Sequence, residues 1–396
     1  MKVLLIRPPI YSKSLEYPNG PRFGLPVSLL YLAAMLEREH IDVSIYDALI
    51  DFDWENIKRD ENGYYHIGSS WQAFVQKVLA YEPTLVGITN PFSDFAAYAV
   101  RAAEEIKASE PQIITVIGGP HPTSCPESFF SKTEAIDYVV RGEGEVTFVE
   151  LLHSLSNGKS IDKVAGITFR DGWQIRSNPS REFIKYLDGL PLPSYHLVPM
   201  EDYFKRVKAG FPSRFSFEYP GSEREVSIIT SRGCPYQCIF CGNHLHMGRQ
   251  WRYHSVDYVL KHMELLISRY KVHHFHIEDD NIALNVRRFE QLLDGIKERK
   301  WDISWDTPNG IRADRLTNGL LRKIKASGCT YLIIGIESGN QMVLNNIIKK
   351  SLNLKEVIKT VTVSKKIHLD IHGFYVVGFP GEGNEEIKDT FRFAKN

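Results

Sequence analysis

The sequence predicts two α/β domains in series: a doubly wound parallel sheet covered by helices, then a barrel-like array of strand–helix units. Three observations carry the prediction. Short apolar, β-branched runs alternate with helically periodic segments at both ends of the chain. A hairpin signal and the stiff Leu190-Pro-Leu-Pro193 interrupt that alternation. The 396 residues also exceed what one core usually organises. The expected boundaries are residues 1–155, a connector over 156–224 and a second domain over 225–396.

In the first domain, Lys2-Val-Leu-Leu-Ile6 reads as a buried strand and Val27 to Leu36 as a helix, followed by a strand at Val43-Ser-Ile-Tyr46. Leu85-Val-Gly-Ile-Thr89 leads into a helix over about Asp94–Ala108. Ile113 to Ile117 ends in Gly118-Gly119-Pro120-His121-Pro122, and Asp137-Tyr-Val-Val140 ends in Arg141-Gly142-Glu143-Gly-Glu145 before a helix to about Leu155. Five strands in this order imply a flavodoxin-like sheet, with its ligand at the C-terminal edge of the strands. The two glycine loops stand at that edge, although either alone reads as an ordinary turn. No G-x-G-x-x-G follows the first strand, so a dinucleotide fingerprint is missing.

The connector carries a hairpin, Val164 to Arg170 and Trp173 to Ile175, around the Asp171-Gly172 turn. The aromatic and charged stretch Lys205–Arg224 reads as either substrate-facing or interdomain.

Beyond it, strands are expected at Glu225–Thr230, His273–Ile277, Ile303–Asp306, Tyr331–Ile336 and Gly373–Gly378, with a helix from Val256 to Tyr270 capped by Ser255. Each strand ends in a polar or glycine-bearing loop, the pattern that builds an active-site face. His274 and His276 share a strand face. With no third ligand evident in the sequence, they read as packed or solvated.

Lys+Arg and Asp+Glu balance at 48 each, which gives no polybasic signal for nucleic acid or an anionic membrane. No signal peptide or spanning segment is evident, and five cysteines, three of them clustered, suit a reducing cytoplasm.

Those three carry the chemistry. Cys234, Cys238 and Cys241 lie in Gly233-Cys-Pro-Tyr-Gln-Cys-Ile-Phe-Cys-Gly242, directly after a strand. Gly233 and Pro235 keep the segment out of a regular helix, so the sulfurs can converge from a loop. Three thiolates hold three irons of a cubane and leave the fourth open to a small molecule. An electron-transfer cluster normally has four cysteines. The alternatives are zinc completed by His244 or His246, or three free thiols.

The C-x3-C-x-aromatic-C loop, with Phe240 in the aromatic slot, resembles the signature of radical S-adenosylmethionine (SAM) enzymes. That resemblance implies a 4Fe-4S cluster on the three cysteines, with SAM chelating the open iron and cleaved reductively to a 5′-deoxyadenosyl radical. It also implies SAM contacts at Glu278, Asp279, Arg312, Glu337, Gly378 and Pro380, and an external flavodoxin- or ferredoxin-type electron donor. The first domain resembles the cobalamin-binding domain of a large radical SAM subgroup through Ile6-Arg-Pro-Pro9, Pro26 to Ala34, Val86-Gly-Ile-Thr89 and its two glycine loops. By that match Thr89, Gly118, Gly119, Pro120, His121, Arg141, Gly142 and Glu143 surround the corrin.

The fold thus implied is a cobalamin-binding domain followed by a partial (β/α)6 TIM-like radical SAM barrel. Five strands are counted before Asn396 where the family has six, so truncation at the C-terminal end is expected. The cobalt-ligating D-x-H-x-x-G is missing. Asp370-Ile-His-Gly373 is a coincidental partial match in the second domain, and His121 reads as a solvated turn residue. The leading expectation is methylation of an unactivated carbon of a small-molecule substrate through methylcobalamin. Cobalamin-dependent cyclisation or rearrangement, as in the anaerobic cyclase of chlorophyll biosynthesis, is the alternative. A non-catalytic cobalamin- or cluster-binding sensor is the alternative of another class. A methylthiotransferase is disfavoured because Cys125 is the lone cysteine of the first domain.

Overall fold

The computed structural model describes residues 1–15, 23–53, 56–211 and 223–395. Most of the Lys205–Arg224 stretch therefore lies outside the described residues. The chain divides into two compact units, residues 1–185 with 189–215 and 245–247, and residues 186–188 with 216–244 and 248–396.

The first unit is built on one sheet. Its parallel strands are β1 (Lys2–Arg7), β2 (Asp42–Asp47), β3 (Leu85–Thr89), β4 (Ile114–Gly118) and β5 (Tyr138–Val140), and the antiparallel β6 (Ile167–Asp171) and β7 (Gln174–Ser177) extend it. The order is β2-β1-β3-β4-β5-β6-β7. Its parallel part is the flavodoxin-like order with a reversal beside β1. The hairpin that the sequence places in the connector thus forms the antiparallel edge of this sheet. Leu4, Leu5, Ile6, Val86, Ile88, Val116 and Ile117 are buried, as strands covered on both faces require.

Helices α1 (Val27–Arg38), α2 (Trp71–Ala80), α3 (Ala96–Ser109) and α4 (Gly144–Ser156) accompany the sheet. Helix α2 is not among the elements expected from the sequence. Ser70 caps it, its hydroxyl accepting from Ala73 N, and Trp71, Phe74, Val75 and Val78 are buried at helical spacing.

The second unit repeats strand and helix. Strands β8 (Glu225–Ile228), β9 (His274–Ile277) and β10 (Ser304–Asp306) form a parallel sheet in that order. Parallel β11 (Tyr331–Glu337) and β12 (Asp370–Tyr375) form a second sheet. Bridges from Trp305 to Cys329 and from Ile311 to Ile334 join the segments beside them. Strand β12 begins three residues before the expected Gly373, so Asp370-Ile-His-Gly373 is strand and not a ligand loop. Helices α5 (Val256–Tyr270), α6 (Val286–Glu298), α7 (Asn318–Ala326), α8 (Leu354–Lys366) and α9 (Asn384–Lys395) follow the strands. Ser255 caps α5 as its position predicts, accepting from Tyr258 N at 3.2 Å.

Alternation along β8, β9 and β10 separates two faces. Val226, Ile228, Phe275, Ile277 and Trp305 are the apolar set, while Glu225, Ser227, His274, His276, Ser304 and Asp306 form a polar column on the other face. Among the described residues no helix is long and apolar enough to cross a membrane.

Candidate functional site

The cysteine loop follows β8 and is held at many points along its length. Gly233 adopts φ 84°, a left-handed conformation that glycine tolerates, and its N–H donates to Asp280 Oδ2 at 2.6 Å. Cys234 N donates to Gly248 O at 3.3 Å, and Ile239 N to Ile348 O at 3.1 Å. Tyr236, between the first two cysteines, is gripped by three arginines. Arg312 lies over its ring at 3.7 Å, Arg315 donates to its hydroxyl at 3.0 Å, and Arg249 donates to its carbonyl at 2.7 Å.

Cys234, Cys238 and Cys241 are partly exposed and form no disulfide. Burial pushes the Cys234 thiol up, and Asp280 and the other two sulfurs add to this against a Tyr236 N–H that opposes it. Burial also raises Cys238, while the cations of Lys350 and Arg312 pull it down.

Among the described residues, the one set of three potential ligand atoms within 4.8 Å of one another is His274, His276 and Asp306. The three sulfurs do not form such a set. His244 turns its Nδ1 to Cys241 O at 3.0 Å and joins no such set.

The residues expected to contact SAM divide by what they already hold. Asp279 is buried and accepts from Thr230 Oγ1 and Ser231 Oγ, each at 2.6 Å, and from Thr230 N, so it anchors the strand leading into the cysteine loop. Burial raises its pKa, opposed by Arg288 and those donors. Asp280, which is not among the expected contacts, does the same for Gly233. Glu278 is only half-buried and is bonded to Ser227 Oγ.

Arg312 forms a two-pronged pair with Asp314 at 3.0 and 2.9 Å and donates to Lys350 O and Ser351 O. Glu337, buried at φ 71°, accepts from Lys350 Nζ at 2.9 Å. A Cβ on Gly335 would lie 2.9 Å from Glu337 Oε1 and 3.1 Å from Lys350 Nζ, so a side chain there would push on this pair. Phe240 is exposed and its ring meets Phe379 at 5.9 Å, which brings the cysteine loop to the exposed Gly378–Gly381 turn containing Pro380. Lys350 had no sequence signal, since its place depends on the left-handed Lys349 and Ser351 on either side.

In the first unit, Thr89, Gly118, Gly119, Pro120 and His121 gather at the C-terminal edge of β3 and β4. Gly119, at φ 124°, is obligatory, because a Cβ would approach Asn90 O to 2.5 Å. Gly142 N donates to Thr123 Oγ1 at 2.9 Å and ties the two loops together. His121 is only partly exposed, with Nδ1 3.0 Å from Ser93 Oγ and its ring edge-on to Phe129, so it is less solvated than a free turn residue. Two side chains point elsewhere. Arg141 donates to the carbonyls of Ile167 and Asn178, and Glu143 accepts from Ile184 N at 2.7 Å.

Asn90 is the residue that sequence reading missed. It is fully buried at the strand edge, and among the described residues neither its amide nitrogen nor its oxygen has a partner. Such a pair is costly unless a ligand answers it, and the glycine loops beside it fit a bulky group carrying amides of its own.

Two family models match the chain: the radical SAM superfamily over residues 228–394 and the B12 binding domain over residues 22–152. An uncharacterized methyltransferase PH0819 of Pyrococcus horikoshii is 34% identical over 400 residues, covering 100% of this chain and 78% of that protein. The cytidylyl-2-hydroxyethylphosphonate methyltransferase of Streptomyces wedmorensis is 30% identical over 423 residues, covering 100% of this chain and 77% of that protein. In fold, the chain is similar to the radical SAM methyltransferase TsrM from Kitasatospora setae, solved with tryptophan and a SAM analogue. There the TM-score is 0.75 at 18% identity, with 98% of this chain and 70% of that one covered.

Proposed function

Since the chain belongs to the radical SAM enzymes that carry a B12 binding domain, with a 4Fe-4S cluster, SAM and cobalamin as cofactors, we propose that it methylates an unactivated carbon of a small-molecule substrate. The observation that carries this reading is the match of the whole chain, at 30% identity or above, to two proteins named as methyltransferases.

In this reading Cys234, Cys238 and Cys241 hold the cluster. Glu278, Phe240, the Gly378–Pro380 turn and the Glu337–Lys350 pair hold SAM, while Asp279 and Arg312 fix the loops that carry those groups. Thr89, Gly118, Gly119, Pro120, His121 and Gly142 line the cobalamin site, and Asn90 offers its unanswered amide there. Arg141 and Glu143 support that site from behind. When bound, the cofactors supply one-electron cleavage and methyl transfer; the protein supplies position and the exclusion of water. The strand array of the second unit is read as a partial barrel, and a flavodoxin- or ferredoxin-type protein as the electron donor.

Anaerobic reconstitution with reductant and SAM tests the proposal. A methyltransferase forms both 5′-deoxyadenosine and S-adenosylhomocysteine. 5′-Deoxyadenosine without S-adenosylhomocysteine would mean cyclisation or rearrangement, and neither product would mean a sensor.

A further inference from the structure

The polar column of β8, β9 and β10 contains a second cluster of ligand atoms, remote in sequence from the cysteine loop and unused by the proposed chemistry. We propose that the buried His274, His276 and Asp306 bind one divalent transition-metal ion of the zinc class. His274 Nε2 lies 3.1 Å from Asp306 Oδ2, and His276 Nδ1 lies 2.9 Å from Asp306 Oδ1. All three residues are at most 3% exposed. Ligand atoms bonded at about 2.0–2.1 Å to a tetrahedral ion stand roughly 3.3 Å apart, close to this spacing.

The outer nitrogens face groups that suit a metal-bound state. Ser304 Oγ lies 2.6 Å from His274 Nδ1, and Glu225 Oε2 faces His276 Nε2 at 3.5 Å. Protons on those outer nitrogens leave bare lone pairs on His274 Nε2 and His276 Nδ1, both aimed at a carboxylate. In that tautomer a positive charge between the lone pairs and the carboxylate holds the cluster together. Without an ion the same distances are met by protons, with the Ser304 hydroxyl donating to His274 Nδ1, His274 Nε2–H donating to Asp306 and one imidazolium at His276, and metal content distinguishes the two states. One divalent ion neutralises Asp306 and Glu225 together and leaves both imidazoles neutral, which is the state in which histidine ligates.

Outer acceptors on metal-binding histidines are the usual orienting shell. Imidazole with carboxylate is a donor set that suits zinc. Strand pairing prepositions the ligands, because His274 is in register with both Glu225 and Ser304, and His276 with Asp306. The cluster therefore ties β9 to β10, with Glu225 of the neighbouring β8 facing its outer edge. It depends on no reading of the reaction.

The test is metal analysis of the full, cluster-reconstituted chain after dialysis against Zn2+-free buffer, combined with X-ray absorption at the zinc edge. About one zinc per chain is expected, in a shell of nitrogen and oxygen only. His274→Gln, His276→Gln and Asp306→Asn should each lose that zinc while keeping their iron. Should a variant fail to fold, chelator treatment of the native chain gives the same information: its melting midpoint should fall and recover on adding Zn2+. The proposal is overturned by a chain that takes up no zinc and melts identically with and without it. Sulfur in the zinc shell would overturn it too, because the ion would then sit on the cysteine loop. So would zinc retained by all three variants.

Discussion

The guanidinium of Arg312 lies 3.7 Å from the centroid of the Tyr236 ring, between the first two cysteines of the loop. Cation and ring are both held from behind, Arg312 by Asp314 and Tyr236 by Arg315. The cation expected to contact SAM is thereby also a wall of the cluster loop. Arg312→Lys keeps the charge but loses the planar fork and the stack. Iron should leave the reconstituted protein faster under chelator, about fivefold for each kcal/mol of a stacking energy near 1–2 kcal/mol. Native iron retention with weakened SAM binding alone would refute the bracing role.

Asp279 and Glu278 are neighbours with opposite expectations. Asn at 279 would turn an amide N–H2 toward groups that are themselves donors. Asp279→Asn should therefore cost about 1–3 kcal/mol in urea unfolding. Glu278 is half-buried, so Glu278→Gln should leave stability nearly unchanged and weaken SAM binding measured by calorimetry. Equal stability losses in the two variants would contradict this division of labour.

What the sequence disclosed follows from how local each signal is. The cysteine loop, the five parallel strands of the first unit and helix α5 were legible because glycine placement, β-branched runs and the Ser255 cap act over a few residues. Partnerships fixed by register were not. Asp306 as the partner of His274 and His276 depends on how β9 aligns with β10, and no periodicity encodes that. The hairpin at 167–177 was visible, yet its place at the sheet edge is set by pairing with β5. Asn90 and Lys350 carry no motif, and only their buried surroundings mark them.

The Glu337–Lys350 pair is a buried ion pair beside the loop, each side chain 9% exposed. Removing one member strands the other charge away from water. Lys350→Met should therefore destabilise the protein by about 3–5 kcal/mol, and a second change, Glu337→Gln, should return part of that loss. Additive losses in the double variant, measured by urea unfolding, would show that the two charges do not act as a pair.

His262 sets an acid limit on the second unit. Burial in α5, with the charge of His254 adding to it, pushes its pKa down from 6.5 to about 3. The unfolded chain therefore takes up the proton first. Stability is complete above the unfolded value and drains away as pH falls from about 6.5 toward 3, a loss of about 2 kcal/mol by pH 5 from this residue. His254, lowered to about 4 mainly by burial and Arg232, acts in the same direction. His262→Gln cannot titrate, so its melting midpoint should drop less than that of the native chain between pH 7 and pH 5. Parallel pH profiles for the two proteins would show that His262 already carries its proton in the folded state.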